Sequence, residues 1–487
     1  MSNKYWAFIA VTLLFSFIFA VEENNQAKEV EENRKRIEEL EQRLDEVERA
    51  TLVDRVNLSM DVRMTVNNYI YRDKSKIETK DLGLLRENGE TWGQANIMGR
   101  LKMVSTLGDS LKFTGWLTMF KQFNESSPFR YESESLEPMY DMGRSRYPSN
   151  SRVYFERLFI DWYITNWLTL SAGRGPTSEG APADIRYDNV ELSSFAESAI
   201  DSPLDGMYLT FNLEEMFGLT HSYLRLFYVH RVYVTDSVKN TFFVTKENPY
   251  LHFFGLEFDA PIPGVQGGRF YSNFAFSPDI TIGERSADLN GDGQEEKLMT
   301  PEKLGSMFTW NLLGKFISIG QSPLDFFIGT GGSLMSTAVR NEENPNRGFL
   351  GTPKDEDGIS TPLQTLLGND LTGGHYVGLT AYAGFRYRLP LEIFGEKIKV
   401  GGDYNYGSRY FFMYYSPDVT GLNRFSVRGH HVEGYFQIPI HRKAHFKLCY
   451  VFEKHDYPFV LMAPAGAGIP EIDERIHNIF LMLNAYF

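Results

Sequence analysis

From residue 56 onward the chain adopts a two-residue rhythm. Val56, Leu58, Met60, Val62, Met64 and Val66 alternate with Asn57, Ser59, Asp61, Arg63, Thr65 and Asn67. Successive side chains of a strand point to opposite faces, so this stretch predicts a strand with one apolar and one polar face. It is longer than the usual strand of a soluble protein. Residues 476–487 repeat the pattern, with Ile479, Leu481, Leu483, Ala485 and Phe487 on one face. Phe480, Met482, Asn484 and Tyr486 form a more mixed opposite face. Similar stretches fall at 97–107, 111–123, 154–164, 167–173, 204–213, 222–234, 251–259, 269–277, 307–319, 325–338, 376–388, 398–410, 428–438 and 444–454. The total is about 16 strands, within a range of about 14–18, where a transmembrane barrel is expected to have an even number.

The connections predict the same architecture. Short ones at 108–109, 165–166 and 439–443 alternate with long polar ones at 72–95, 124–151, 175–203, 279–305, 340–375 and 457–475. Structureless loops of that length are unusual in a compact soluble domain. They are expected on the outer side of a membrane barrel, with the short turns on the periplasmic side. The reading is therefore all-β, a transmembrane antiparallel barrel over 53–487.

Two segments before the barrel have other periods. Lys4 precedes an apolar stretch at 5–19, and Ala20 stands before Val21-Glu22-Glu23. This predicts an export signal over 1–20. Within 21–52, Val30, Ile37 and Leu44 are seven residues apart, as are Asn33, Leu40 and Val47. Those heptads predict a short periplasmic coiled coil, associating as a trimer or serving as a solvated spacer.

Composition narrows the function classes. The 38 Phe and 27 Tyr among 487 residues suit the aromatic girdles of a barrel. Mean hydropathy is −0.31, and beyond the N-terminal stretch no run of apolar residues is long enough for a spanning helix. A formal net charge of −14 argues against a nucleic-acid partner. The single cysteine, Cys449, removes disulfide frameworks, Cys-rich zinc sites and haem-attachment motifs.

Candidate chemistry lies on the polar faces and in the loops. Strand parity turns Arg63, Arg100, Lys102, Lys112, Arg157, Arg225 and Arg231 inward, with Asp61, Asp161, Glu257 and Asp403. Rings of one charge in a pore set ion preference, and the N-terminal half reads as basic inside. Alternatively these charges pair across strands and keep the wall wet. The Gly- and Pro-rich stretch 173–182, with Arg174 and Glu179 and followed by Asp184 and Arg186, reads as a constriction folded into the pore or as a plain outer loop. Asp288, Asn290, Asp292 and Gln294 lie in a D-x-N-x-D-G run resembling the first half of a calcium loop. Position 12 would be Met299 rather than a bidentate Glu, so structural Ca²⁺ competes with an acidic turn. No H-E-x-x-H, G-x-S-x-G or phosphate-binding Gly-rich motif occurs, and a non-enzyme without an organic cofactor is expected.

A final strand of alternating hydrophobics ending in Phe487 resembles the assembly signal of bacterial outer-membrane barrels. The order of signal peptide, short coiled coil and barrel resembles a group of Gram-negative porins of unassigned substrate. Residues 167–182, W-L-T-L-S-A-G-R-G-P-T-S-E-G-A-P, are similar to that group's strand and G-R-x-P-T turn at Gly173, Arg174, Pro176 and Thr177. The coiled coil before a barrel also resembles phosphate-selective trimeric porins, but their ladder of closely spaced lysines and arginines is absent. These resemblances imply an outer-membrane porin passing small hydrophilic solutes or ions by diffusion. The partners they imply are lipid, the barrel-assembly machinery and two further copies. The alternatives are a sheath around a periplasmic cytochrome, a fatty-acid-type transporter and a soluble periplasmic β protein.

Overall fold

A computed structural model describes residues 34–37, 39–40, 56–74, 89–123, 153–232, 252–282, 285–287, 296–299, 302–337, 375–411, 413–415, 422, 424–425, 427–457 and 473–487. The expected export signal and the calcium-loop residues Asp288, Asn290, Asp292 and Gln294 lie outside them. Of the expected coiled coil, 34–37 and 39–40 are described, as helix, with the seam residues Ile37 and Leu40 exposed.

Sixteen antiparallel strands form a closed barrel. They are β1 (Val56–Asp73), β2 (Gly89–Leu107), β3 (Leu111–Gln122), β4 (Val153–Tyr163), β5 (Leu168–Arg174), β6 (Leu204–Asn212), β7 (Tyr223–Val232) and β8 (Phe253–Pro261). The circuit continues with β9 (Gly268–Ile282), β10 (Glu302–Phe316), β11 (Leu324–Thr337), β12 (His375–Ile393), β13 (Glu396–Gly407), β14 (Gly429–His441), β15 (Ala444–His455) and β16 (Glu474–Tyr486). The last strand closes on the first, from Asp61 opposite Tyr486 to Asp73 opposite Glu474. Phe487 extends the seam by exchanging backbone hydrogen bonds of 2.8 and 3.0 Å with Met60. Closure leaves no unpaired sheet edge, as a lipid environment requires.

The faces sort in the opposite sense to a soluble protein. On β1, Leu58, Met60, Met64 and Val66 are 41–60% exposed, whereas Asp61, Arg63, Thr65 and Asn67 are at most 1% exposed. The same inversion runs round the barrel through Ile160, Trp162, Leu226, Ile328, Leu379, Phe436, Leu448 and Leu481 outside. A contiguous apolar exterior of this extent is unstable in water and stable in hydrocarbon. Three Tyr–His pairs, Tyr228–His252, Tyr404–His430 and Tyr450–His477, are hydrogen-bonded at 2.7–2.8 Å near the long-loop ends of their strands. An apolar ring with a polar tip suits the edge of an apolar band.

Connections alternate in length, the short ones including 108–110, 394–395 and 442–443. The turn after β6 holds a short helix, Leu213–Phe217. Asn212 caps it by accepting from the Glu214 amide, and Gly218 ends it in the left-handed region at φ 72°. Several strands run further than their apolar pattern indicates, with β2 beginning at Gly89 and β12 ending at Ile393. Backbone pairing continues past the apolar band, where the alternation is no longer needed.

Candidate functional site

The interior is occupied by the connection between β5 and β6, residues 175–203, which turns into the barrel instead of outward. Its neck is built from adjacent strands. The Gly175 amide donates to the Leu204 carbonyl at 3.0 Å, and Arg174 grips Asp205, its register partner, through Nε at 2.7 Å and Nη2 at 3.0 Å. Arg174 is thus a clamp at the entrance rather than part of the constriction. Gly173 sits at φ 123°, a conformation side chains rarely adopt, where a Cβ would come within 2.3 Å of the Leu158 carbonyl.

Inside, the segment folds back on itself. Gly180 bridges Ser193, and a Cβ at Gly180 would lie 1.6 Å from the Phe195 carbonyl oxygen. A Gly180→Ala variant is therefore expected to lose this fold-back. Limited proteolysis of the liposome-reconstituted protein should then cut within 175–203 at a rate the parent does not reach. A five-residue helix, Ala183–Tyr187, follows the turn and ends on Asp188 in the left-handed region. Ala181, Ile185, Tyr187, Phe195 and Ala196 are buried, Tyr187 in a cluster with wall residues such as Tyr69, Tyr71 and Tyr435, and Phe195 edge-on to Tyr208 and Phe227. Four of the segment's carboxylates, Glu179, Asp184, Asp188 and Glu191, face wall cations, whereas Glu197 and Asp201 bond within the segment.

Three charged anchors join segment and wall. At the first, Glu179 accepts from Arg63 Nη1 and Nη2, each at 2.7 Å, and lies 2.8 Å from Arg100 Nη2. Asp61 accepts from Arg63 at 3.1 Å and lies 3.4 Å from Arg100, while Glu156 accepts from Arg100 at 2.6 and 2.8 Å. Lys102 is 3.9 Å from Asp61, so three cations meet three carboxylates, and the balance requires Glu179. Beside them Arg157 stacks on Trp116 at 3.6 Å and donates to the Ser178 and Leu192 carbonyls.

At the second anchor Lys315 bonds Asp184 at 3.1 Å and Glu191, which also accepts from Tyr271 at 2.7 Å. Burial pushes the Glu191 carboxyl above the usual carboxylate range, with Lys315 pulling the other way. At the third anchor Asp188 takes Arg386 Nη1 at 2.9 Å and Lys399. Burial favours protonation of Asp188, but Lys399 and Arg386 outweigh it and hold the carboxyl below its ordinary value. Wall side chains also reach the segment's backbone, as in Gln437 donating to the Arg186 carbonyl at 2.7 Å. Arg186 turns inward to Glu197 within the segment.

A second excursion, 408–428, lies alongside, and its Tyr414–Tyr415 pairs in parallel with Ile200–Asp201. Arg424 reaches Asp403 at 3.3 Å and also Glu433, which Lys447 contacts at 2.6 Å. His431 Nδ1 lies 2.8 Å from Glu453.

Of the residues singled out from sequence, Arg63, Arg100, Lys102, Arg157, Glu179 and Asp184 belong to the segment–wall contact. Arg225 joins it through Ser194 while pairing with Glu257 at 2.5 Å. Lys112 and Asp161 stand opposite each other near the short-turn rim, with Asp161 accepting from Ser171 at 2.5 Å, away from the segment. Arg231 is described by its place in β7 alone. Glu156 was not singled out because a β-bulge hides it. Trp116 faces Arg157 and Leu117 faces Phe155, so Glu156 is an extra residue that breaks the parity and turns inward. Lys315, Arg386 and Lys399 carry no local signal, since alternation gives a face but not a partner.

Among curated protein sequences none matches this chain. Among solved structures, OprB of Pseudomonas putida aligns over 90% of this chain and 95% of its own, at 11% identity and TM-score 0.48. OmpF of Salmonella typhi aligns over 90% and 99%, at 11% identity and TM-score 0.44. OmpT of Vibrio cholerae, in a trimer form, aligns over 88% and 99%, at 10% identity and TM-score 0.41. A family model described as "Protein of unknown function (DUF3373)" matches residues 95–470, which run from β2 to the loop before β16. With most of its barrel inside that match, the chain belongs to the DUF3373 family.

Proposed function

We propose that this protein is a channel of the Gram-negative outer membrane for small hydrophilic solutes and ions, in which residues 175–203 act as a plug that can be displaced. The observation that carries the reading is how the interior is filled. A barrel of sixteen strands leaves an aqueous lumen unless something occupies it. Here the main occupant is an excursion from a two-strand neck, with residues of 408–428 beside it. Apolar contacts of Tyr187 and Phe195 join it to the wall, and ion pairs and hydrogen bonds fix its charged anchors. Those polar contacts exchange with water and salt more readily than an apolar core does. The apolar exterior supports membrane residence, and the expected export signal supports the outer membrane. The exposed seam residues Ile37 and Leu40 support self-association through 21–52.

Charge supports a preference for anions. The plug carries six acidic residues, Glu179, Asp184, Asp188, Glu191, Glu197 and Asp201, against one basic residue, Arg186. Its withdrawal would take a carboxylate from each of Arg63, Arg100, Lys315, Arg386 and Lys399, while Asp61, Glu156 and Asp325 stay on the wall.

The test is single-channel recording in planar bilayers. The intact chain is compared with a variant in which a Gly-Ser-Gly linker replaces 176–202, the ends of which already meet at the neck. The intact chain is expected to stay mostly closed. The variant is expected to give large ohmic steps whose reversal potential in a salt gradient has the sign of an anion-preferring pore. A variant that folds as a heat-modifiable barrel and still does not conduct overturns the proposal and points to a sheath or a receptor-type transporter.

A further inference from the structure

The third anchor has an accessible back door. Asp188 lines a recess of about 50 Å³ together with the first residues of β13 and the turn between β14 and β15. Its lining includes Lys397, Lys399, Arg442 and Lys443 against two carboxylates, Asp188 and Glu396, with His441 and His445 beside them. The recess is thus locally cationic in a chain of formal charge −14. Asp188 itself is the one plug carboxylate within it, and its side chain is 24% exposed. Arg386 and Lys399, which both hold Asp188, are fixed elements of adjacent strands. Arg386 is in turn oriented by Asp325, to which its Nε donates at 2.8 Å.

A guanidinium and an ammonium converging on one carboxylate form a site for any small oxyanion of similar span. The plug's own carboxylate fills that site in this conformation. We propose that the recess binds a small oxyanion, a phosphate or a dicarboxylate, which replaces Asp188 on Arg386 and Lys399 and releases the plug from the short-turn side. The inference rests on the reading of 175–203 as a plug, and names what would displace it. The recess is small, so the anion takes up the volume that the Asp188 carboxylate vacates. Rim cations would raise the local anion concentration and guide it to Lys399, the donor that lines the recess, and Arg386 becomes the second donor as Asp188 leaves it. Because no residue of the other two anchors lines this recess, which lies among the short turns, the trigger acts from one side of the membrane only.

The experiment uses the full chain in planar bilayers, with inorganic phosphate or succinate added to each compartment in turn, chloride being lowered to keep ionic strength constant. The expected result is about a tenfold rise in open probability from one compartment only, the scale of one exchanged charge-assisted hydrogen bond. Phosphate acting without succinate, or the reverse, identifies which oxyanion geometry the donors take. An Arg442→Gln, Lys443→Gln variant, which leaves the Asp188 pairing intact, should need several-fold more anion for the same effect. Asp188→Asn should open without anion and lose the response. Equal effects from both sides, or none beyond chloride, overturn the inference. If Asp188→Asn opens the pore while neither anion does, the anion site falls and the plug stands. If the 176–202 replacement also fails to conduct, it is the plug reading that has failed.

Discussion

Glu179→Ala is expected to turn a mostly closed channel into one that opens without a stimulus. Glu179 is 3% exposed and touches Arg63 and Arg100, both essentially fully buried. Removing it leaves Arg63, Arg100 and Lys102 outnumbering Asp61 and Glu156 in a site with little access to water. Breaking a buried pair by deleting one partner costs about 3–5 kcal/mol, because the remaining charge stays desolvated. The barrel need not unfold to relieve that cost. Expelling the segment rehydrates both arginines and sacrifices only the plug's own contacts. The cost should therefore be read as a higher open probability in bilayers and faster proteolysis within 175–203, with a smaller change in the urea midpoint of the whole barrel. Glu179→Gln keeps the shape and removes the charge, and should reproduce most of the opening. An alanine variant that remains as closed and as protease-resistant as the parent would mean that this cluster does not hold the plug.

The same cluster marks how far the sequence could be read. The sixteen strands were legible because an apolar exterior must recur at every second residue, as on β1 and β16, whatever the strands' neighbours. Gly173, Gly175, Pro176, Gly180 and Pro182 marked sharp reversals in this stretch, but left a turn into the pore and a plain outer loop equally open. Which cation meets which carboxylate was not legible. Glu179 and Arg63 are 116 positions apart, and Asp188 and Lys399 are 211 apart, so only barrel closure brings them together. Glu156 was concealed by a bulge that resets parity on β4. Arg174 looked like part of the constriction, but its register partner Asp205 holds it at the neck, and register is set by the neighbouring strand. The 408–428 excursion has no comparable Gly-Pro signature, so Arg424 and its carboxylates Asp403 and Glu433 gave no warning of a second inserted segment.

Leu481→Arg tests the inverted faces directly. Leu481 is 44% exposed near the middle of β16, flanked outside by Leu448 and Val66 of the neighbouring strands. On a soluble protein, replacing a half-exposed leucine by arginine is usually worth no more than about 0.5 kcal/mol in either direction. At the centre of a hydrocarbon layer the same change costs about 2–4 kcal/mol, because the guanidinium must be carried out of water when the barrel folds. Urea unfolding in phospholipid liposomes should show that loss. Leu219→Arg supplies the internal comparison, since Leu219 is 50% exposed in the turn after β6, beyond the strands, and should change stability by no more than about 0.5 kcal/mol. The difference between the two variants isolates depth in the membrane from the chemistry of the substitution. Equal and small effects at both positions would mean that the apolar exterior does not face lipid, and the channel reading would lose its physical basis. A large loss at Leu481 alone would locate the hydrocarbon layer across the middle of the barrel, where the buried charges of Arg63, Arg100 and Lys447 lie behind an apolar shell.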